Sequence, residues 1–489
     1  MVSPQNVERA KNILIVVLFL TTILLLYLLW ENLTMQTFRL SDIMPDEDYE
    51  TPAAREVTVP SDIVVSFGAG VYTVVEEEER EIWEAFMAAL DSFGRASDVL
   101  LEEITRAQYE EVMGYRSVFC DFSYSLPFVE LCQLYGLSNA RNYSQVAFVD
   151  QLGYSAGSPE SVFLHDGENE KYYRLVSDQS EQGFESIISQ VEREGYVPYY
   201  QAGTYFGIVN TAVLPVTLTG TLAERDFVPE IDPTDRSQLQ AFAEPFFGES
   251  FDFVRRIEES KGTVVYMYGY GQRVLTAYPD GGFEYREEES GETSGVQSYF
   301  EALETALEFV AAHGSWETED GEFLEVCVQE AYELSAEGRR GYRFLFGMKL
   351  EGEPLYYENG AAIIVEVSHG QVVYYKRDLI FLEGEAEVPE EEGEDLSAAN
   401  LVAQNYEYMA GVLREKGLIP EVEEGSGDTS FEAVAELIHS LEEGYLRPGS
   451  EGEEAGLLQP VWALSVGELD FYFDPAGGQP LGYTDKSEL

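Results

Sequence analysis

Basic residues are scarce in this 489-residue chain: 29 Lys and Arg stand against 91 Asp and Glu, a formal net charge of −62. Capture of a phosphate backbone depends on Lys and Arg displacing counterions, so nucleic acid is a poor partner. The same field discourages close approach to anionic lipid headgroups. It favours cations, basic patches on proteins or saline surroundings, and both habitat and partner remain open as its cause. Cysteine is nearly absent. Cys120, Cys132 and Cys327 show no CxxC pair and no metal-ligand spacing, and an odd count excludes a closed disulfide framework. A Cys120–Cys132 bridge stays open, with buried thiols the expected state.

Histidine is equally sparse, with His165, His313, His369 and His439 alone and no pair at i,i+4. Each reads as a turn or surface residue. No serine nucleophile elbow, zinc-protease helix, P-loop or dinucleotide-binding glycine fingerprint is expected. Paired carboxylates could act on glycans, but 91 acids supply such pairs by chance. The loop Asp166-Gly167-Glu168-Asn169-Glu170 is acidic yet lacks the ligand register and distal Glu of an EF-hand. Tyr266–Tyr270 (YMYGY) reads as a sheet face beside a hairpin turn or, alternatively, as an exposed aromatic surface. No catalytic residue, cofactor or metal site is assigned, and the chain is expected not to be an enzyme.

What the sequence does hold is one long apolar run. Ile13–Trp30 (ILIVVLFLTTILLLYLLW) is interrupted only by Thr21 and Thr22, close to the roughly 20 residues that span a hydrocarbon core. It exceeds the apolar region of a secretory signal, and no small-residue cleavage site follows. Arg9 and Lys11 precede it and Glu31 follows, which places the N-terminus in the cytoplasm and the remainder outside. Ile13, Leu20 and Leu26 form its apolar body, and Tyr27 and Trp30 sit where an interfacial aromatic belt lies. Thr21 and Thr22 suit either lipid or a neighbouring helix. The expectation is a single-pass protein of the cell membrane.

Hydrophobic residues at 45% and aromatics at 13% supply packed cores for the rest. The sequence divides into a cytoplasmic tail (1–11), a transmembrane helix (12–31), a proline-punctuated tether (32–60) and three α+β domains (61–230, 231–318 and 319–489). Antiparallel sheets flanked by helices are expected throughout. Ser61–Ser66 and Ser117–Leu126 alternate as strands, and Asp166-Gly167, Pro279-Asp280-Gly281, Asn359-Gly360 and His369-Gly370 mark turns. Helical spacing covers Glu76–Leu90, all or part of Ser97–Val112, Ser237–Phe246, Ser298–His313, Ala398–Lys416 and Ser430–Leu441. The acid-rich Glu383–Asp395 reads as a solvated linker or loop.

Several spaced motifs resemble the YycH family of Gram-positive bacteria. They are the anchor NVERAKNILIVVLFL, SVFCDFSYSLPFVELCQLYG (Ser117–Gly136), TAVLPVTL (Thr211–Leu218) and FFGESFDFVRR with TVVYMYGYGQRVLTAYPDGGFEYRE (Phe246–Glu287). LEFVAAHGSW (Leu307–Trp316), ENGAAIIVEVSHGQVVYYKRDL (Glu358–Leu379) and GYLRPG…LLQPVWAL (Gly444–Leu464) continue the likeness in order. Tyr270-Gly271 stands where the family pattern has Asp-Gly, and His313-Gly314-Ser315-Trp316 where it has a double glycine. The resemblance implies a non-catalytic, single-pass regulator in the WalK/WalR two-component system. It would act by contact with a WalK-type sensor histidine kinase and a YycI-like companion in cell-wall homeostasis. The alternative from another class is an extracytoplasmic cation- or glycan-binding or envelope-processing module.

The full chain should sediment with membranes and resist alkaline extraction, while a chain begun after residue 32 should be released. Recovery of the full chain in the soluble fraction would refute the anchor.

Overall fold

The computed structural model describes residues 51–489 except 76–78, 97–98, 138–142, 178–182, 290–296, 319–322, 337–338, 359, 385–395, 421–428, 450–455 and 489. The expected anchor residues Ile13, Leu20, Thr21, Thr22, Leu26, Tyr27 and Trp30 lie outside the described residues. Among the described residues, no helix is long and apolar enough to cross a membrane.

Residues 51–489 form one compact unit built on two sheets. The first is nine-stranded: β1 (Asp62–Gly68), β2 (Val71–Val74), β3 (Leu100–Ile104), β4 (Arg116–Pro127), β5 (Phe148–Ser155), β6 (Ser161–Asp166), β7 (Lys171–Val176), β8 (Tyr199–Gln201) and β9 (Val213–Pro215). Their spatial order is β3-β7-β6-β5-β4-β1-β2-β8-β9. The apolar positions of the helix Glu79–Arg95, Ile82, Trp83, Phe86 and Leu90, are buried as the helical spacing predicts. Trp83 Nε1 donates to Tyr135 Oη at 2.8 Å, so the indole buries its ring without stranding its N–H.

The helix expected over all or part of Ser97–Val112 occupies the later part, Arg106–Met113, while Leu100–Ile104 pairs with β7 as β3. Thr105 sets that start, its Oγ1 accepting from Gln108 N–H while Gln108 Oε1 accepts from Thr105 N–H. One local expectation gives way: the helix Ser430–Leu441 ends at Glu436, because Ile438 opens a strand held by a partner about twenty residues downstream.

The second sheet has fifteen strands. β10 (Arg225–Pro229), β11 (Arg255–Glu258), β12 (Val264–Tyr268), β13 (Arg273–Ala277), β14 (Phe283–Glu287), β15 (Val326–Ala336), β16 (Arg339–Leu350) and β17 (Glu353–Tyr357) come first. β18 (Ile363–Ser368), β19 (Gln371–Arg377), β20 (Ile380–Glu383), β21 (Ile438–Arg447), β22 (Leu457–Val466), β23 (Leu469–Phe473) and β24 (Pro480–Asp485) follow. The main path runs β11-β12-β13-β14-β19-β18-β16-β17-β21-β22-β10-β20, with β15 on β16 and β23-β24 continuing from β22. Pairings are antiparallel except the parallel β17–β21 contact. The α+β class and its antiparallel sheets flanked by helices therefore stand.

The helix Tyr299–Ala312, capped by Ser298 and Glu301, lays Leu303, Leu307 and Val310 into one core. Residues of both sheets share that core, Val65, Phe122 and Leu126 among them together with Phe344, Val365 and Tyr375.

A buried ionic knot closes the second sheet, and several motifs of the family resemblance meet in it. Arg377 is 0% exposed. Its Nε and Nη2 donate to the two Glu230 oxygens at 2.7 and 2.6 Å, and Nη2 also donates to Gly314 O at 2.7 Å. Beside it, Arg447 ion-pairs with Asp378 and donates from Nη2 to Asp280 O at 3.1 Å. A Cβ at Gly314 would stand 2.9 Å from Arg377 Nε, which explains the glycine of HGSW. Trp316 is sealed alongside, its Nε1 donating to Leu307 O at 3.0 Å.

Glu230→Ala would leave Arg377 charged and uncompensated, at a cost of about 3–5 kcal/mol. Urea unfolding should show that loss as a lower midpoint with unchanged slope; a change below about 1 kcal/mol would contradict the ionic role.

Candidate functional site

The chemistry-bearing residues scatter. His165 Nδ1 lies 2.8 Å from Asp150 Oδ1 and its ring stacks on Tyr172. His369 occupies a turn at φ 51° beside Glu289, with Nδ1 to Oε1 at 2.6 Å. His313 departs from expectation: it is buried against Phe309 and Phe246, and burial lowers its pKa to about 4. Helical spacing carries it inward as the last residue of an apolar face. His439 stays on the surface.

The G-x-S-x-G spacing does occur in the sequence, as Gly153-Tyr154-Ser155-Ala156-Gly157. It builds no elbow: Ser155 ends β5, is buried, donates to Val112 O at 3.0 Å and is followed by another strand rather than a helix. The acidic loop is also spoken for. Asp166 accepts from Phe148 N–H, Asn169 N–H and Asn169 Nδ2, making it the clamp of the β6–β7 hairpin. Among the described residues no His, Cys, Asp or Glu group is arranged to hold a metal ion. Cys120 and Cys132 are buried thiols, and burial pushes Cys132 up to about 12.

Two features went unread in the sequence. The first is a seam of buried acids. Lys486 Nζ sits 3.4 Å from Glu330 Oε1 and 3.3 Å from Asp470 Oδ1, at the rim of a cavity of about 20 Å³. That is room for one water. Burial raises the Glu330 carboxyl to about 7, against the pull of Lys486. Glu442 is raised as well, by burial and by the Asp62 carboxylate of the first sheet. Asp121, beneath the helix Arg106–Met113, is raised to about 7 by burial, opposed by the hydrogen bond from Gln151. Asp121 and Glu442 sit in strands that pair with β1 and β17, remote in sequence, so no local pattern announces them.

The second is the open end of the larger sheet. β11 is its terminal strand, and the Gly269-Tyr270-Gly271 turn projects beside it. In YMYGY, Tyr266 is buried in the inner face, whereas Tyr270 is 100% exposed at φ 62°. Both readings of that run thus hold for different residues. Left-handed backbone disfavours a bulky side chain, and this one gains no burial in return. Phe253 and Ile257, exposed at 76% and 44%, extend the apolar surface along β11. Arg255 shares the face of Ile257, two residues before it on β11.

No protein-family model matches the sequence, and no curated protein sequence matches it significantly. A structural comparison does find a similar fold. The crystal structure of YycH from Bacillus subtilis aligns with TM-score 0.54 over 85% of this chain and 96% of that chain, at 15% sequence identity. The class defined by the two sheets and their helices is therefore that of a YycH-like fold.

Stability should fall as pH rises. A carboxyl whose folded pKa is raised binds more protons folded than unfolded, so its contribution is full below the unfolded value near 4.5 and fades through about 7. The thermal midpoint should be higher at pH 5.5 than at pH 8, and Glu330→Gln should flatten that slope. An identical slope in the variant would remove Glu330 as a cause.

Proposed function

We propose that this chain is a membrane-anchored extracytoplasmic regulator that adjusts a WalK-type sensor histidine kinase through protein contact, in concert with a YycI-like companion. The supporting observation is the YycH-like fold across 85% of the chain. Motifs of the family resemblance also occupy positions that build this fold: HGSW, KRDL and LRPG supply Gly314, Arg377, Asp378 and Arg447 of the ionic knot. The role is read as non-enzymatic because regulation by such a protein asks for surfaces rather than reacting groups. A ligand-induced shift between two kinase states requires only unequal affinity for them.

The expected anchor completes the reading: a helix in the bilayer meets the kinase's own membrane helices, and the acidic body works outside. Crosslinking of the full chain in native membranes should capture a histidine kinase. Deleting the chain should change phosphorylation of that kinase's response regulator. Unchanged phosphorylation together with no kinase adduct would overturn the proposal.

A further inference from the structure

Strand β11 carries its own complement. Glu259 N–H donates to Thr263 O at 2.9 Å, so with the alternation of an antiparallel ladder Ile257 and Arg255 also bond inward to β12. Arg256 and Glu258 consequently direct their N–H and C=O groups away from the sheet. Among the described residues no strand pairs with β11 on that outer side. Edge strands are commonly protected by like charges, which repel an approaching copy. This one reads Arg255-Arg256-Ile257-Glu258-Glu259, two cations then two anions about a central isoleucine.

We propose that a second copy of this chain pairs with it here, antiparallel, strand β11 on strand β11 about a two-fold axis through Ile257. In that register Arg256 faces Glu258 of the other copy in hydrogen-bonded pairs, and Arg255 faces Glu259 in the closer, non-hydrogen-bonded pairs. Each contact occurs twice. Registers with an odd residue sum are ruled out, because they would set an outward-facing residue against an inward-facing one. Pairing centred on Arg256 instead sets Arg255 against Ile257, which wastes the charges. The two half-exposed Ile257 side chains meet on the axis. Arg256 is already held near Glu258 of its own strand and over the Tyr266 ring, so it meets a second carboxylate preoriented.

Charge favours this site over the rest of the surface. Residues 249–273 hold four acids (Glu249, Asp252, Glu258, Glu259) and four cations (Arg255, Arg256, Lys261, Arg273), within a chain of net charge −62. Two copies meeting on an acid-rich face bring acid against acid. Here the local charge cancels, and remote acids are screened beyond about 8 Å at physiological salt. The contact is small and therefore weak, suited to copies concentrated on one surface. The inference goes beyond the regulatory reading and neither needs nor tests it.

Ile257→Cys in the full chain tests the axis, since a non-hydrogen-bonded pair places Cα atoms about 4.5 Å apart, within disulfide reach. Mild oxidation in native membranes should give a reducible adduct of twice the chain's mass. Thr276→Cys, on the same face but two strands inboard, should give none. Adding Arg255→Glu to Ile257→Cys should lower the adduct about tenfold, as two cross-strand pairs turn repulsive, and R255E/E259R should restore it. Both charged sites are exposed, so folding is not at stake. Equal crosslinking at residues 257 and 276, indifference to R255E, or capture of a different protein at residue 257 would each overturn the proposal.

Discussion

Two guanidinium groups sealed inside the larger sheet set the terms for the fold. Arg377 and Arg447 cannot shed their protons, so burying them obliges the chain to deliver Glu230, Asp378 and the carbonyls of Gly314 and Asp280 to fixed points. Those points come from β10, the β19 end, the turn after the helix Tyr299–Ala312 and the β13–β14 turn. A strand slipped by one residue would leave a charge unanswered in the interior. The knot thereby fixes register and strand order more strictly than apolar packing, which tolerates exchange among similar side chains. It also accounts for motifs that look like loose turn signals when read singly.

The second constraint is the surplus of acid. Most carboxylates face water, but Glu330, Glu442 and Asp121 are half-buried on strands of the two sheets, and burial holds their protons on toward neutral pH. Lys486 answers two carboxylates at once, from the final residues of the chain. The fold accepts a costly interior where the sheets and the chain's last strand come together, and its stability follows ambient acidity accordingly.

What could be read in the sequence follows the range of the interactions. Turns written in adjacent residues, Asp166-Gly167 and His369-Gly370, fall where their dipeptides indicate, and amphipathic helices such as Tyr299–Ala312 follow their apolar spacing. Failures occur where distant pairing overrides local pattern. Ile438–Leu441 has helical composition yet joins β22, and Leu100–Ile104 leaves a helix-like stretch to join β7. His313 departs from the turn-or-surface expectation because the apolar helix before it carries it into the core against Phe309 and Phe246. The ionic knot, the acid seam and the open edge all depend on sheet order, which no window of the sequence contains. The expected anchor is the reverse case, a local composition signal, and it falls outside the described residues.

The chain enters the described body through a short helical turn, Ala54–Val57, with Ala54 and Val57 buried in the main core. Tyr135 Oη lies 3.1 Å from both Arg55 O and Thr58 O, fastening the turn from behind. The turn packs against the helix Tyr299–Ala312 and β15. Such an entry behaves as a rivet rather than a swivel: a tug at residue 51 loads the centre of the molecule instead of being absorbed by slack chain. Tension and torsion applied there become strain in the core, and strain in the core is felt at that end.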